Sequence, residues 1–245
     1  MAGISLILQN NPTVTQIDCG SSTPKLSGTI NLSAFPGLEN FKCISNDITA
    51  LYGYAQNGNL TNLQFYENKI TGTIPNLSGM VRLQRFECYT NLITGSVPSL
   101  SGLNSLRFFN CSENNLTGSI PRLSPNLRDF SVHTNELTGS IPSLSGVNFL
   151  NNCGLHTNNL TGFVGGPVSN TLGEFRAQNN QLTSTAVNLI LANFVAAGRT
   201  TGTPVQNGAC VLNIGGDGNF SPSNQGITDV TTLRQRGWTV TTGRL

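Results

Sequence analysis

Charge is scarce in this chain. Only 10% of its 245 residues are Asp, Glu, Lys or Arg, and 13 basic against 11 acidic side chains leave a formal charge of +2. About a quarter charged is usual for a soluble domain. A nucleic-acid binder needs a basic stripe that this composition cannot supply. Long apolar runs are missing too: no window approaches the roughly 18–20 consecutive apolar residues of a membrane helix. The opening MAGISLILQNN has no basic segment and an apolar stretch short of the roughly 7–15 residues of a signal peptide, so export by that route is not expected. Six cysteines form no Cys-x-x-Cys pair, which argues against structural zinc. NIGGDGNF lacks the Gly and Lys-Ser/Thr positions of a phosphate loop, and Asp217 within it lacks calcium-loop spacing. No cofactor, no metal and no enzyme activity are expected. With 37% hydrophobic residues the chain can still build a core, and 31 Asn, 27 Thr and 27 Gly supply its polar surface.

What the chain has instead is an internal repeat. Five segments read ITGTIP, ITGSVP, LTGSIP, LTGSIP and LTGFVG, starting at Ile70, Ile93, Leu116, Leu137 and Leu160. Two residues before each stands Asn68, Asn91, Asn114, Asn135 or Asn158, and degenerate copies extend the series to Asn46 and Asn180. The successive spacings are 22, 23, 23, 21, 23 and 22 residues, a regularity that chance does not give. Five residues before the asparagines come Phe41, Leu63, Phe86, Phe109, Phe130, Cys153 and Phe175. Three before them come Cys43, Phe65, Cys88, Cys111, Val132, Leu155 and Ala177. Alternation over so few residues means a short strand with one buried face. A single unit cannot bury that face alone, so units stack into a solenoid with one strand per turn of a parallel sheet. Beyond each strand the chain turns inward and leaves backbone groups without a ladder partner. A buried asparagine amide carries donors and an acceptor, so it can bond neighbouring turns. The Gly of TGSIP permits positive φ, and the Pro limits donation at the next edge.

These units resemble leucine-rich repeats of the plant-specific subclass, with the pattern L-x-x-L-x-x-L-x-L-x-x-N-x-L-(T/S)-G-x-I-P. The resemblance covers residues 25–183, about two thirds of the chain and some seven repeats of 21–23 residues. It implies an α/β repeat solenoid: a right-handed horseshoe with a concave parallel sheet and short strands or 3₁₀ turns opposite. Phe and Cys often stand where that pattern has Leu. Residues 1–24 are expected to cap the first turn, with Ile17 and Cys19 in an irregular strand and Ser22 near the asparagine position. The paired-cysteine cap usual in secreted plant members is missing, which counts against a plant extracellular origin.

Residues 184–245 break the period and are expected to form a C-terminal cap of helix, strand, helix and strand. Val187, Ile190, Leu191, Phe194 and Val195 make one helical face, with Ser184 as N-cap and Gly198 as stop. Ala209–Gly216 is expected to be a buried strand, followed by a helix from about Ser221-Pro222 to Gly237 and a strand at 238–240. The stretch GITDVTTLRQRGWTVTT is similar to a tail found on repeat-bearing structural proteins of tailed bacteriophages and some bacteria. The cysteines fall on inward ladders, so they are expected as free, buried apolar side chains made in a reducing cytosol. Cys19 with Cys43, or Cys88 with Cys111, would sit on adjacent strands with room for oxidation. Seven Asn-x-Ser/Thr sequons occur, at Asn31, Asn59, Asn76, Asn110, Asn115, Asn159 and Asn219; several arise from the repeat wording, and they are read as repeat grammar rather than glycosylation sites.

The candidate site is an outward column two residues before the asparagines: Ile44, Tyr66, Tyr89, Ser112, His133, His156 and Gln178. Flanking columns carry Glu67, Glu87, Glu113, Lys42, Asn110 and Arg176. Strands about 4.8 Å apart make a stripe about 20 Å long from Tyr66 to His156. His133 and His156 lack an evident third metal ligand; a pH-sensitive pair is one alternative. Glutamates on an open sheet have nothing to raise their pKa for acid catalysis. Rings beside carboxylates and amides suit a protein loop or a glycan, and a solvated face without a partner is the plainer alternative. The expected function is therefore a non-enzymatic binding or structural protein. The first form considered is a virion-associated protein of a tailed bacteriophage, made in the host cytoplasm: a capsid decoration, a fibre or a receptor-binding adhesin. Its partner would be a virion or host-surface protein or a cell-surface glycan, not nucleic acid, with no membrane insertion. A homo-oligomer or attachment to a larger particle is compatible with it. The alternative is a secreted, extracellular plant-type leucine-rich-repeat recognition or inhibitor module.

Overall fold

The structure is a computed structural model that describes residues 4–5, 11–198 and 210–243. Its architecture follows from the inward ladders. Phe41, Leu63, Phe86, Phe109, Phe130, Cys153 and Phe175 are each the middle residue of a three-residue strand, and none is more than 1% exposed. The strands are Asn40–Lys42, Asn62–Gln64, Arg85–Glu87, Phe108–Asn110, Asp129–Ser131, Asn152–Gly154 and Glu174–Arg176. They pair in parallel with equivalent residues opposite one another, Phe86 on Phe109 and Phe109 on Phe130. Gln16–Asp18 joins one end, with Ile17 opposite Phe41. Cys210–Asn213 and Trp238–Thr241 join the other, giving a ten-stranded parallel sheet. Across the core, Ile70, Ile93, Leu116, Leu137 and Leu160 bury the far wall. That side carries shorter ladders, such as Thr94–Ser96 on Asn115–Thr117, and a 3₁₀ turn at Leu32–Ala34.

The asparagines stitch the turns together as their amide chemistry predicts. Each of Asn46, Asn68, Asn91, Asn114, Asn135, Asn158 and Asn180 accepts at Oδ1 the N–H of Leu26, Ile48, Ile70, Ile93, Leu116, Leu137 or Leu160 in the preceding repeat. These bonds are 2.9–3.1 Å long. Each Nδ2 donates to carbonyls of its own turn and of the turn before, as Asn91 does to Cys88 and Phe65. The series does not stop at Asn180. Asn219 accepts from Leu182 N–H at 2.9 Å and donates to the carbonyls of Ala177, Ile214 and Gly215. At the other end Ser22 takes a reduced form of the role, its hydroxyl donating to the Cys19 carbonyl at 3.3 Å. Just before Ser22 and before each asparagine from Asn46 to Asn180 the backbone turns through positive φ at a residue with a side chain: Ser21, Ser45, Glu67, Thr90, Glu113, Thr134, Thr157 and Asn179. A β-branched Thr at φ 53, as at Thr90, is a strained placement that the surrounding ladder of hydrogen bonds imposes.

The C-terminal elements arrive in the expected order with shifted ends. Helix α1 spans Ser184–Ala196, and its N-cap is Thr183, not Ser184: the Thr183 hydroxyl accepts from Ala186 N–H at 3.2 Å. The chain reaches αL at Gly198 two residues after α1 ends. Helix α2 spans Asn224–Gln235 and starts later than Ser221-Pro222, because Ser223 is held extended by Asn188 of α1. The strand expected over 209–216 is four residues, Cys210–Asn213, and Ala209 lies outside the described residues. Phe194 of α1 packs edge-on against both Phe175 and Trp238, covering the open end of the core. All six cysteines are unpaired. Cys43, Cys88, Cys111 and Cys153 hold the inward positions predicted for them, and Cys88 and Cys111 bring their Sγ atoms to 3.2 Å on adjacent turns.

Candidate functional site

The sheet face turned away from the core carries three side-chain columns, and the structure sorts the expected residues among them unevenly. Tyr66 and Tyr89 stack on each other with ring centroids 4.2 Å apart and planes at 11°. His133 and His156 do the same, also at 4.2 Å and 11°. In-register rungs make such stacking automatic, since equivalent side chains on parallel strands leave in the same direction. Ser112, between the two pairs, is 2% exposed, so the stripe divides into two ring pairs around a dip. Glu67 and Glu113 are tied to the preceding turn, accepting from the hydroxyls of Ser45 at 2.5 Å and Thr90 at 2.9 Å. Glu87 accepts from Gln64 at 2.6 Å and pairs with Arg85 at 2.5 Å. Gln178 follows His156 in the column, and its buried Oε1 has no hydrogen-bond partner among the described residues.

One hollow of about 490 Å³ opens on this face, within the usual size of a ligand site. His133, His156 and Glu87 line it; Tyr66, Tyr89, Glu67, Glu113 and Gln178 do not. Asn110 and Arg176 of the expected flanking columns line it too, and the rest of its wall comes from the column six residues before the asparagines, which the sequence analysis did not single out: Arg85, Phe108, Asp129, Asn152 and Glu174. Arg85 lies 3.9 Å above the Phe108 ring, and Asn152 donates its amide to Asp129 Oδ1. Burial pushes the Asp129 carboxyl above its ordinary range, against the lowering by the Asn152 bond and Arg85. The floor is Ser131 and Gly154, the smallest residues of the central column.

Each imidazole meets the hydroxyl of the next residue through Nδ1, His133 with Thr134 at 3.1 Å and His156 with Thr157 at 3.4 Å. Burial lowers the pKa of both; His156 falls to about 4, with His133 and Arg176 adding to the effect. The pair is therefore neutral at pH 7. As pH falls from about 6.5 the unfolded chain takes up protons there that the folded chain refuses, so stability drops until about pH 4 and then levels. The raised Asp129 works in the opposite sense at the acid end. Comparison with His133→Asn/His156→Asn isolates the imidazoles: the melting temperature of the double variant should fall less between pH 7 and pH 4. Equal falls would show that the imidazoles titrate alike in both states.

Among the described residues no group of three His, Cys, Asp or Glu side chains is placed to hold a metal ion, and no helix is long and apolar enough to cross a membrane. No protein-family profile matches the chain, and no curated protein matches it either. Solved structures do. The ectodomain of the Arabidopsis receptor kinase HAESA, in complex with an extended IDA peptide hormone, is 25% identical over 65% of this chain and 29% of that one, with a TM-score of 0.60. The plant peptide hormone receptor RGFR1, in complex with RGF2, is 27% identical over 65% of this chain and 31% of its own, with a TM-score of 0.53. This chain thus spans less than a third of either ectodomain. With the parallel ladder, the asparagine stitching and these neighbours together, the fold is a leucine-rich-repeat solenoid closed by a helix–strand segment.

Proposed function

We propose that this protein is a non-enzymatic recognition module that binds an extended peptide or protein segment along the outward face of its ten-stranded sheet. The observation that carries it is the two in-register ring pairs beside a hollow, on a face that the core packing leaves unused. Tyr66, Tyr89, His133 and His156 give rigid contact area, and Glu67, Glu87, Glu113 and Gln178 give polar contacts around them. Each ring has one face taken up by its pair, and Phe108 is covered by Arg85, so no single ring offers both faces to a sugar. That favours a protein partner over a glycan. The HAESA and RGFR1 structures hold peptide ligands, and they support the plant-type, extracellular form of this reading. Neither of these two neighbours supports the virion form.

A peptide-display selection against the intact chain tests it. Tyr66→Ala with Tyr89→Ala gives up the mutual stacking, about 0.5–1.5 kcal/mol beyond the area the two rings partly bury, and leaves the inward ladders untouched. Two interface tyrosines lost should weaken the selected peptides about 100-fold or more. Unchanged binding by the folded double variant would place recognition on the opposite side or at the ends.

A further inference from the structure

We infer that the hollow over Ser131 and Gly154 is a seat for a cationic side chain of the partner, an arginine, with Asp129 as its counter-charge. The inference rests on the recognition reading and specifies what the partner must carry.

Two cationic and three anionic side chains line the hollow: Arg85, Arg176, Glu87, Asp129 and Glu174. Four of them are already matched, Arg85 with Glu87 at 2.5 Å and Arg176 with Glu174. Asp129 is in no ion pair among the described residues, and only its Oδ1 is engaged, by the Asn152 amide. One carboxylate oxygen is left for a ligand. Asn152 spends its nitrogen on Asp129, so its own amide oxygen is a second acceptor, and the Ser131 hydroxyl is a third on the floor. The Asn152 bond and the charges of Arg85 and Arg128 only partly offset the hydration that this half-buried carboxylate has lost, and a cation bound at its free oxygen restores the balance. An anion would find both arginines occupied, and a neutral group would leave Asp129 unmatched.

Shape and donor geometry select arginine. A Cβ at Gly154 would stand 2.9 Å from Ser131 Oγ and 3.6 Å from His133 Cδ2, so any side chain there would fill the space that the glycine leaves open. Guanidinium presents five donors in a planar fork, suited to several fixed acceptors, whereas ammonium is a compact and strongly hydrated point charge. The wall formed by His133 and His156 is neutral at pH 7 and does not repel it.

The probe is N-acetyl-L-arginine methylamide, titrated into the intact ¹⁵N-labelled chain with its citrulline analogue as neutral isostere. Saturable shifts are expected at the Asn152 side-chain amide and the backbone of 129–131 and 152–154. The citrulline analogue should bind at least about tenfold more weakly, and so should the arginine probe to Asp129→Asn, as loss of a charge-assisted pairing predicts. Equal binding of citrulline, or shifts spread over exposed carboxylates such as Asp18 and Asp47, would overturn the seat. The citrulline comparison uses unaltered protein, so it decides even where Asp129→Asn fails to fold. In the display selection, face-dependent peptides without Arg would overturn the seat while leaving the recognition reading intact. Failure to select any face-dependent peptide would overturn the recognition reading, and the probe titration would still decide the seat.

Discussion

Phe109→Ala is expected to cost about 3–5 kcal/mol of unfolding free energy, the range for truncating a large buried aromatic. The ring is 1% exposed and stacks on Phe86 at 5.4 Å and on Phe130 at 5.7 Å, with planes within 14° of parallel. Neither neighbour can swing in to fill the gap without leaving its own rung. Each turn of a solenoid touches only the next, so a void at the fifth strand of ten also weakens coupling between the two halves. The denaturant transition should therefore broaden as its midpoint falls. Against a typical total of about 5–15 kcal/mol the loss is large. Equilibrium unfolding that registers less than about 1 kcal/mol would mean that the ring is not where the ladder puts it.

The repeat made the core legible because every inward position is answered by an equivalent one about 23 residues away. Phe41 to Phe175, the partner ladder from Cys43 to Ala177, and the asparagines could all be placed by counting, and the structure buries them as counted except Asn135, which is only partly buried. Counting failed where the spacing changed. Asn219 does the work of the ladder 39 residues after Asn180, because α1 and the stretch after it lie between. Thr183 displaced Ser184 as N-cap because Thr183 is the last residue still tied to the previous turn, its N–H bonding the Thr161 carbonyl at 3.0 Å. The positive φ at Thr90, Thr134 and Thr157 has no sequence signal, since Thr is among the residues least suited to it. Of the face, the Tyr and His pairs were legible as a column. The hollow was not. It depends on the size of Ser131 and Gly154 and on which of three columns pair off, and Asp129 matters only because the arginines found other partners.

Asn114→Leu is expected to cost about 1–3 kcal/mol, although it leaves no void at all. Asn114 is 8% exposed and donates Nδ2 to the carbonyls of Cys88, Cys111 and Ser112. Each of these carbonyls keeps another donor: Asn91 Nδ2, Asn135 Nδ2 and Thr90 N–H respectively. The Ile93 N–H does not. Its partner is Asn114 Oδ1 at 2.9 Å, and leucine leaves it buried and unpaired, the costliest way to break a hydrogen bond. Asn114→Asp separates the two halves of the amide's role. It keeps an acceptor for Ile93 but points a second oxygen at three carbonyls, so the carboxyl must stay protonated and donate. A group whose folded pKa is raised above its unfolded value is favourable at low pH and loses that contribution as pH rises through the folded pKa. The deficit of Asn114→Asp should therefore grow between pH 4 and pH 7, while the change in Asn114→Leu over the same range should match that of the parent protein. Chemical denaturation of the three proteins at both pH values makes the comparison. A deficit of Asn114→Asp that does not change with pH would mean that the donors of Asn114 are not needed, and that the ladder holds through its acceptors alone.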